Sequence, residues 1–402
     1  MKRCIYIGGF YLPNQEEEIR KIAIKNIIYS ANTFEWSFIK GLIHFYKDIE
    51  FWSFPFLPNY PKGIKEPYTY GKSETIDGFK FRSFSSLRLP VINLLFKAFS
   101  LFLYILFHTK KVRGRIVIVY STHLPFTLSF PLLKMLGCKI VQIVPDLTIY
   151  QSSNTNKLYL MLKKAENYLF NKLVSHADAM VVVADAMMGY FQYLKIPMVR
   201  IEGMYDITVE QNSKQNFIIK NRRNLKKQIF YAGSLDKRYG LINLVDCFIR
   251  INDPNTELWI CGNGDQYDNM KEYSNQYSNI KFFGQLSHDE VVALYQQIDI
   301  LVNPRKPEGE YTKYSFPIKT MEYLASTKPV VMYDLPGLPD EYKPFLFLVP
   351  DTDKGLMDTL RFVLTIDDDK LSINGNDARH FIIESKSPIV QISKLKDLIE
   401  NI

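Results

Sequence analysis

A lysine and a glutamate stand close together in the segment YTKYSFPIKTMEYLAS, residues 311–326. If the segment is helical, Lys319 and Glu322 lie on one face, one turn apart. Ser315 is a favourable N-cap and Pro317 suits a first helical turn, so the segment predicts a helix that begins near these two charges. The free N–H groups and the macrodipole at a helix start attract anions. The pair is therefore either a surface ion pair or part of a site for a charged ligand.

Glycines or charged residues follow several of the short apolar runs in the chain. The carboxyl ends of parallel strands meet at one edge of a sheet, where ligands bind, and glycine lets the backbone approach a ligand closely. One such segment is a common turn, but recurrence at equivalent strand ends indicates a shared ligand. The segments are IGGF (7–10), YAGSLDKRYG (231–240), CGNGD (261–265), FFGQLSHDEV (282–291) and VNPRKPEGE (302–310).

Three polar residues of the first half stand at positions where a side chain could contact a ligand. Asp146 and His123 each follow a predicted strand, and Asn32 lies in the first long helical pattern. Asp146 is either a base or a contact to a substrate hydroxyl, or it is a helix cap or turn residue.

Short apolar runs alternate with longer periodic segments along the chain, which predicts an α/β protein with parallel sheets. We expect strands at residues 4–9, 49–54, 115–120, 139–144, 179–184, 228–233, 257–262, 280–284, 300–304 and 329–333. Helical patterns include residues 18–46, 157–174, 241–251, 290–297 and 389–402. The predicted fold is two doubly wound, Rossmann-like domains that face each other across a cleft. The predicted boundaries are an N-terminal domain at 1–205, a C-terminal domain at 206–385, a polar seam at 203–217, and a helix within 386–402 that packs back on the first domain.

Length and composition indicate a globular protein of two domains. The chain has 402 residues, of which 47% are hydrophobic and 14% aromatic. Its four cysteines and six histidines are scattered, which argues against a zinc or disulfide framework and favours a reducing, cytoplasmic compartment. The aspartate run at residues 367–369 is expected to be a solvated turn.

The positive charge of the chain is concentrated in its first half. Residues 1–200 carry 26 Lys and Arg against 13 Asp and Glu, and residues 201–402 carry 24 against 29, so the halves have net charges of +13 and −5. A basic half favours an anionic partner. Because no nucleic-acid motif or clustered basic run is present, we expect anionic lipid headgroups or a lipid pyrophosphate rather than nucleic acid.

An apolar segment, LPVINLLFKAFSLFLYILFHTKKVRGR at residues 89–115, is about as long as a bilayer span. Lys97 and Ser100 interrupt it. Three placements are open: a spanning helix, a buried core helix, or a helix that lies on the inner leaflet. The cations that would then face the lipid are Lys110, Lys111, Arg113 and Arg115. The N-terminal residues 1–13 are expected to form a strand and a glycine turn rather than a signal sequence.

The order and spacing of these segments resemble the retaining glycosyltransferases of the GT-B fold, in particular glycosyltransferase family 4, also called group 1. The most specific match is SFPIKTMEYLASTKPVV, residues 315–331. The segments YAGSLDKRYGLINLVDCF, LWICGNGDQYDNM and IKFFGQLSHDEVVALYQQIDILVNPR support it, whereas the first half matches more loosely, at GGF and at residues 165–187. Within the family this block is common in enzymes that assemble capsule, exopolysaccharide or lipopolysaccharide chains.

The resemblance implies roles for individual residues. Glu322 matches the second glutamate of the family's E-x7-E element, which accepts hydrogen bonds from the ribose hydroxyls of the nucleotide. Lys319 is expected to face the diphosphate, and Gly9 to lie under the distal phosphate and the sugar. Gln285 and Leu286 stand where family members contact the base. The other expected donor-binding residues are Gly233, Ser234, Lys237, Arg238, Gly262, Asn263, Arg305, Ser315, Phe316, Pro317 and Ile318.

The sequence departs from the family pattern at two elements. The first glutamate of E-x7-E falls at Tyr314, so Glu308 or Glu310 would have to serve from a longer loop. The family's G-R-L-x-x-x-K-G element appears here as GSLDKRYG, with serine and tyrosine where arginine and lysine are usual. The adjacent Lys237 and Arg238 are candidates to compensate.

The resemblance predicts a retaining, metal-independent transferase of a hexosyl or related sugar, which needs no cofactor besides its nucleotide diphosphate sugar. The expected acceptor is a glycan or a lipid-linked glycan in surface polysaccharide assembly, at the cytoplasmic, anionic face of the inner membrane. Asp146, Lys319 and Glu322 are the expected catalytic residues, and His123 and Asn32 are expected to bind the acceptor. Two alternatives stay open: a nucleotide-sugar epimerase on the same fold, and a catalytically silent nucleotide-sugar-binding protein of a biosynthetic complex.

Overall fold

The computed structural model describes residues 2–24, 29–90, 92–150, 157–208, 226–295 and 297–402. The chain divides into two compact units. Unit 1 comprises Met1–Met204 and Pro388–Ile402, and unit 2 comprises Tyr205–Ser387. The division expected from the sequence, after residues 205 and 385, runs close to these limits. Residues 209–217 of the expected seam lie outside the described residues.

The strands follow the apolar runs of the sequence. They are β1 Cys4–Gly8, β2 Ile49–Ser53, β3 Tyr68–Thr69, β4 Ser73–Ile76, β5 Phe79–Ser83, β6 Ser86–Leu87, β7 Ile116–Tyr120, β8 Lys139–Val144, β9 Ala179–Val182, β10 Met198–Arg200, β11 Lys227–Ser234, β12 Thr256–Asn263, β13 Ile280–Phe282, β14 Ile300–Asn303, β15 Val330–Tyr333 and β16 Leu346–Val349. Each of the ten expected strands is present. The strands β3–β6, β10 and β16 were not expected, and β4 shows why: its residues alternate between exposed and half-buried, so it carries no apolar run.

The helices lie between the strands, as expected for parallel sheets. They are α1 Pro13–Ile22, α2 Tyr29–Phe45, α3 Ile92–Phe107, α4 Thr109–Val112, α5 Leu124–Thr127, α6 Phe130–Met135, α7 Lys157–Val174, α8 Asp185–Phe191, α9 Leu241–Ile251, α10 Tyr267–Gln276, α11 His288–Tyr295, α12 Lys319–Ala325, α13 Gly355–Thr365, α14 Asp368–Ser385 and α15 Pro388–Glu400. The expected helix at 18–46 is therefore two helices, and residues 25–28 between them lie outside the described residues. Residues 367–369 do not form a loop: the Asp367 carboxylate accepts a hydrogen bond from the Asp369 N–H at 3.0 Å and caps α14.

Unit 1 contains a sheet whose described strands run in the order β10-β9-β8-β7-β1-β2-β5-β4. All its pairings are parallel except that of β4 with β5. The central strands β1 and β7 are buried along their full length, because helices cover both faces of a parallel sheet. The last helix, α15, packs on α2 in this unit, where a Cβ at Gly41 would stand 2.3 Å from Ile392.

Unit 2 contains a second sheet, in the order β13-β12-β11-β14-β15-β16, and its described pairings are all parallel. The first strand of each unit pairs with the next strand in sequence on one side and with a later strand on the other: β1 lies between β2 and β7, and β11 lies between β12 and β14. The strand order therefore reverses between β1 and β7 in unit 1, and between β11 and β14 in unit 2. Ligands of open α/β sheets bind outside the carboxyl ends of the strands at such a switch point.

The apolar segment at 89–115 forms α3 and α4, and two polar residues of α3, Asn93 and Lys97, face inward rather than outward. Asn93, Lys97, Leu101 and Ile105 of α3 are buried. Within the described residues, no helix is long and apolar enough to cross a membrane. Because Lys97 is buried, its place in the apolar segment does not mark a water-facing side of this helix.

Candidate functional site

The switch point of unit 2 brings together the loops that follow β11 and β14. Gly240 ends the first loop with a φ of +73°, and a Cβ at this position would stand 2.3 Å from the carbonyl oxygen of Pro304 in the second. The close approach and the positive φ both require glycine. Helix α12 is attached to the same region, because the Tyr323 hydroxyl donates to the Ala232 carbonyl and accepts from the Ala232 N–H, both at 3.0 Å.

Lys319 and Glu322 form an ion pair on α12, with 2.9 Å between Nζ and Oε2. The Tyr295 hydroxyl donates to the same carboxylate oxygen at 3.4 Å. Burial by itself would raise the pKa of Glu322, but Lys319, with His288 and Tyr295, lowers it below its ordinary value. Burial opposes the charge of Lys319 as well, and Glu322 raises its pKa. The side chains are 40% and 24% exposed, so a bound ligand can reach both charged groups.

The start of α12 differs from the expected cap. The helix begins at Lys319 after Ile318, and no side chain caps it. Ser315 donates instead to the Tyr311 carbonyl at 3.0 Å and accepts from Arg305 at 2.9 Å. The Thr320 N–H donates to the Pro317 carbonyl and the Met321 N–H to that of Ile318, so these groups of the first turn have partners inside the chain. Serine also stabilises turns outside helices, which is why its position alone did not identify a cap.

The positive charge that the segment offers is therefore the Lys319 ammonium rather than the end of this short helix. Phe316 and Pro317 are buried in unit 2, and Ile318 is 40% exposed.

Arg305 places a second positive charge at this switch point. It is 8% exposed, and its guanidinium lies over the rings of Tyr311 and Tyr239, at 4.8 and 5.6 Å from their centroids. Its Nε is buried without a hydrogen-bond partner. Within the described residues, no carboxylate forms an ion pair with Arg305. Nothing in the sequence identified Tyr239 and Tyr311 as the rings that contact Arg305, since aromatic residues in loops have many uses.

The two cations expected to compensate for the altered glycine loop differ in their environments. Arg238 donates two hydrogen bonds to the Asp236 carboxylate, from Nε at 3.0 Å and from Nη2 at 2.7 Å, and these lower the pKa of Asp236. Lys237 is exposed.

Glu308, which was considered as a substitute for the missing family glutamate, lies 3.7 Å from Lys306.

The loops after β11, β12 and β13 pack against one another at the same edge. A Cβ at Gly262 would stand 1.8 Å from the carbonyl oxygen of Gly233, and the φ of Gly262 is +147°. The Asn263 side chain donates to Gln285 at 3.1 Å and accepts from Gly264 at 2.8 Å. The structure thus brings the expected residues Gly233, Gly262, Asn263 and Gln285 together.

The two remaining donor candidates of these loops differ in exposure. Ser234 is exposed, and its carbonyl accepts a hydrogen bond from Tyr231 at 2.7 Å. Leu286 is partly buried and packs against the core of unit 2.

The switch point of unit 1 contains the glycine loop after β1, which α2 holds in place. The Gly9 N–H donates to both oxygens of Glu35, at 3.1 and 2.9 Å. Asn32 accepts from the Tyr11 N–H at 2.8 Å, and the Trp36 indole donates to the Tyr11 carbonyl at 3.1 Å. Asn32 therefore has a structural contact within the chain. Gly9 is needed for packing as well, because a Cβ would stand 2.1 Å from the Phe56 ring.

His123 and Asp146 follow the adjacent strands β7 and β8. The His123 ring packs edge-on against Phe56 and Phe126, and its Nε2 is buried without a partner. Burial, with Lys97 and other cations, holds the pKa of His123 well below its ordinary value. Ser121, two residues earlier, has a φ of +80°, which is rare outside glycine and is frequent at functional sites. Asp146 is exposed in the bend that follows β8.

No cluster of three or more metal-ligating side chains occurs among the residues that the structure describes.

The family model of the glycosyl transferases group 1 matches residues 212–381. A comparison with curated proteins gave no match.

Solved structures resemble the chain over its full length. Sucrose-phosphate synthase from Thermosynechococcus elongatus is 14% identical with a TM-score of 0.66, and the match covers 100% of both chains. A UDP-forming α,α-trehalose-phosphate synthase from Burkholderia vietnamiensis is 12% identical with a TM-score of 0.68, over 100% of this chain and 99% of that one. The catalytic domain of starch synthase IV from Arabidopsis thaliana, bound to ADP and acarbose, is 9% identical with a TM-score of 0.67, over 100% and 99%.

At these identities the likeness shows the fold, and the fold is that of the GT-B glycosyltransferases. The expected fold class is confirmed, and so is the resemblance found in the second half of the sequence. Residues 212–381 are similar to the glycosyl transferases group 1 family, and the chain has the GT-B fold.

Proposed function

We propose that this protein is a retaining glycosyltransferase that moves a hexosyl or related sugar from a nucleotide diphosphate sugar to a glycan or lipid-linked acceptor in surface polysaccharide assembly. The observation that carries the proposal is the accessible Lys319–Glu322 pair beside the switch point of unit 2. Its carboxylate can accept from two vicinal ribose hydroxyls, because both oxygens are acceptors. Its ammonium can bind the diphosphate.

Charge stabilisation is the chemistry that this arrangement supports. As the bond between the anomeric carbon and the diphosphate breaks, negative charge grows on the leaving group. Lys319 and Arg305 are cations at the carboxyl edge of the sheet that can stabilise it. The new bond forms from the acceptor hydroxyl on the same face, and the hydroxyl proton leaves to the departing diphosphate. In this proposal the cations carry the leaving-group charge, so that no divalent metal and no further cofactor is required.

Unit 1 is proposed to bind the acceptor, and His123 and Asp146 are its candidate contacts. A neutral His123 has one ring nitrogen that can accept from a hydroxyl, which is consistent with its lowered pKa. Asp146 is exposed and can contact a sugar hydroxyl.

A thermal-shift panel of UDP, GDP, dTDP and ADP tests the donor site before any acceptor is known. One of them is expected to raise the melting temperature by roughly 5–10 °C at about a hundredfold excess over its Kd. Glu322→Ala is expected to remove most of this shift. Glu166→Ala is a matched control, because Lys163 and Glu166 form a similar i,i+3 pair, at 2.7 Å, in unit 1.

If none of the four nucleotides shifts the wild-type protein, the proposed donor site is wrong. If a nucleotide sugar binds but no sugar reaches any extracted lipid acceptor, a binding protein replaces the transferase. Turnover of the donor without acceptor would favour an epimerase.

Attachment to the inner face of the membrane is part of the proposal, and an apolar stripe on α3 supports it. Ile92, Leu95, Phe99, Phe102 and Leu106 recur every three or four residues and are 42–65% exposed. Helix α5 packs against both α3 and α7, and α7 exposes further apolar side chains: Leu160, Met161, Leu162, Tyr168 and Leu169. Exposed apolar surface of this extent marks a binding surface.

The basic residues after α3 contribute less to this surface than the sequence suggested. Lys111 pairs with Glu50 at 2.5 Å, and Arg115 is 8% exposed and lies 3.6 Å from Asp48. Lys110 and Arg113 are exposed and are left as the candidates for lipid headgroups.

Sedimentation with phosphatidylserine vesicles measures this attachment. Replacing both Leu95 and Phe99 with glutamine is expected to weaken it at least tenfold, because burying each side chain is worth about 1.5–3 kcal/mol. Phe362→Gln, at a residue 60% exposed in unit 2, is the control. Equal binding to neutral vesicles, or no effect of salt, would contradict a role for the cations.

A further inference from the structure

Three basic side chains form a buried cluster in unit 1, which we define as Arg88, Lys97 and His123. Arg88 is 0% exposed and Lys97 is 2% exposed. Both donate to the Pro55 carbonyl, Arg88 from Nη1 at 3.2 Å and Lys97 from Nζ at 3.3 Å. The Phe56 ring lies 5.6 Å from the Lys97 Nζ and 5.4 Å from the His123 ring. The cluster therefore surrounds the chain that follows β2.

Within the part of the chain that the structure describes, no carboxylate balances this cluster. In that part neither Lys97 nor Arg88 forms an ion pair, although exposed pairs such as Arg3 with Asp48 occur elsewhere in the fold. Burial and the Arg88 charge lower the pKa of Lys97 well below its ordinary value. Burial lowers the pKa of Arg88 to about 10. Buried charges are strongly destabilising unless they are paired, so a counter-charge from outside the chain would relieve an unfavourable arrangement.

The cluster also has unused hydrogen-bonding capacity. The Arg88 Nε and the His123 Nε2 are buried without partners. The ammonium of Lys97 has three donors, and its hydrogen bonds to the carbonyls of Phe54 and Pro55 are long, at 3.5 and 3.3 Å. Phe56 and His123 are the partly exposed members of this region, so an entering group would arrive on their side. That side is the carboxyl edge of β2 and β7, beside the switch point of unit 1.

We propose that the basic cluster of Arg88, Lys97 and His123 binds a phosphate or diphosphate group, and that the acceptor of this enzyme carries it. The second half of this statement rests on the proposed transferase function, whereas the anion site itself does not. A purely structural role is the competing explanation, in which Lys97 and Arg88 only hold the carbonyls of residues 54–57.

The two explanations predict different behaviour for Lys97→Met, which keeps the length of the side chain and removes its charge. Inorganic phosphate and pyrophosphate are the probes, and the melting temperature of the full chain is measured against their concentration. The measurements use a Lys319→Met background, so that binding at the proposed donor site does not contribute. Lys47→Met, at an exposed lysine that follows α2, is the control for loss of one positive charge.

With a phosphate site, the background protein and the Lys47→Met control are stabilised by phosphate or pyrophosphate. Lys97→Met then binds the probe at least tenfold more weakly, and without probe it melts at the same or a higher temperature, because a buried unpaired charge has been removed. If Lys97→Met responds to the probe as the control does, or if the background protein shows no response, the proposal is overturned. Should Lys97→Met fail to fold, His123→Gln in the same titration decides the question by the same tenfold criterion.

The source of the phosphate is identified by two further arms. A soluble sugar phosphate that competes with pyrophosphate indicates a soluble acceptor, and competition only by vesicles that contain a lipid phosphate indicates a lipid-linked one. Both outcomes support the site, and competition by neither overturns its assignment to the acceptor. A nucleotide shift that depends on Glu322 is measured separately, so the donor site and the phosphate site fail or succeed independently.

Discussion

Glu35 is expected to make the stability of this protein depend on pH above the acid range. Its side chain is 1% exposed and accepts hydrogen bonds from the Gly9 N–H and from the Tyr6 hydroxyl, the latter at 3.2 Å. Burial raises the pKa of Glu35 from 4.5 to about 8, and the hydrogen bonds from Gly9, Tyr6 and Phe10 oppose the rise without cancelling it. We predict that Glu35→Gln removes this dependence.

The sign follows from which state keeps the proton. Between about pH 4.5 and 8 the unfolded chain has lost the Glu35 proton and the folded chain still holds it. The free energy of unfolding therefore falls as the pH rises through this window and is constant with respect to this group above it. At about 1.4 kcal/mol for each pH unit, the whole window amounts to roughly 5 kcal/mol. A glutamine keeps the acceptor oxygen and has no proton to lose, so its stability lacks this slope.

Urea denaturation at a series of pH values measures the effect. The difference in unfolding free energy between Glu35→Gln and wild type is expected to shift in favour of the variant as the pH rises from 5 to 8. Glu17→Gln, at a side chain 79% exposed, controls for the loss of a carboxylate. If the wild-type protein and Glu35→Gln change in parallel over this range, the buried carboxyl is ionised in the folded state and the reasoning fails.

Three further outcomes are expected. Gly262→Ala should lower the free energy of unfolding by more than about 3 kcal/mol, because the new Cβ would meet the Gly233 carbonyl at 1.8 Å. The control is Gly189→Ala in helix α8, where a Cβ has nothing within 4 Å, and it should be neutral or stabilising by about 0.5–1 kcal/mol. Denaturant midpoints compare the two variants. Lys319→Met should raise the pKa of Glu322, and an unchanged carboxyl titration by NMR would show that the pair is not formed. The thiols of the native protein should resist alkylation at neutral pH, because burial raises the pKa of each of them: Cys4, Cys138, Cys247 and Cys261. Rapid labelling of any of these thiols before the protein unfolds would contradict this.

The sequence predicted the central strands and several helices well, because their signals are local. The helices Lys157–Val174 and Leu241–Ile251 have the bounds that their periodicity indicated. The short strands β3–β6 escaped detection, since two to five residues of alternating polarity do not differ from a loop.

The candidate site was predicted in its residues more than in its geometry. Glycines and cations at strand ends indicated which loops meet, and Gly233, Gly262 and Asn263 do lie together. The cap at Ser315 was wrong, because a hydroxyl has several partners within reach and Arg305 and Tyr311 are the ones that the fold supplies. The hydrogen-bond partner of the Ser315 hydroxyl depends on the conformation of the chain, which brings residues four and ten positions away in sequence next to it.

The sequence by itself determined that Lys319 and Glu322 form a pair, because helical geometry sets that distance whatever surrounds it. It also determined the two parallel sheets, through the alternation of apolar runs and periodic segments. Only the tertiary structure decided which charged groups are buried. Lys97 turns inward to the carbonyls of Phe54 and Pro55, and Glu35 turns inward to the N–H of Gly9. The partners of such groups lie tens of residues away, and burial depends on these distant contacts rather than on local pattern.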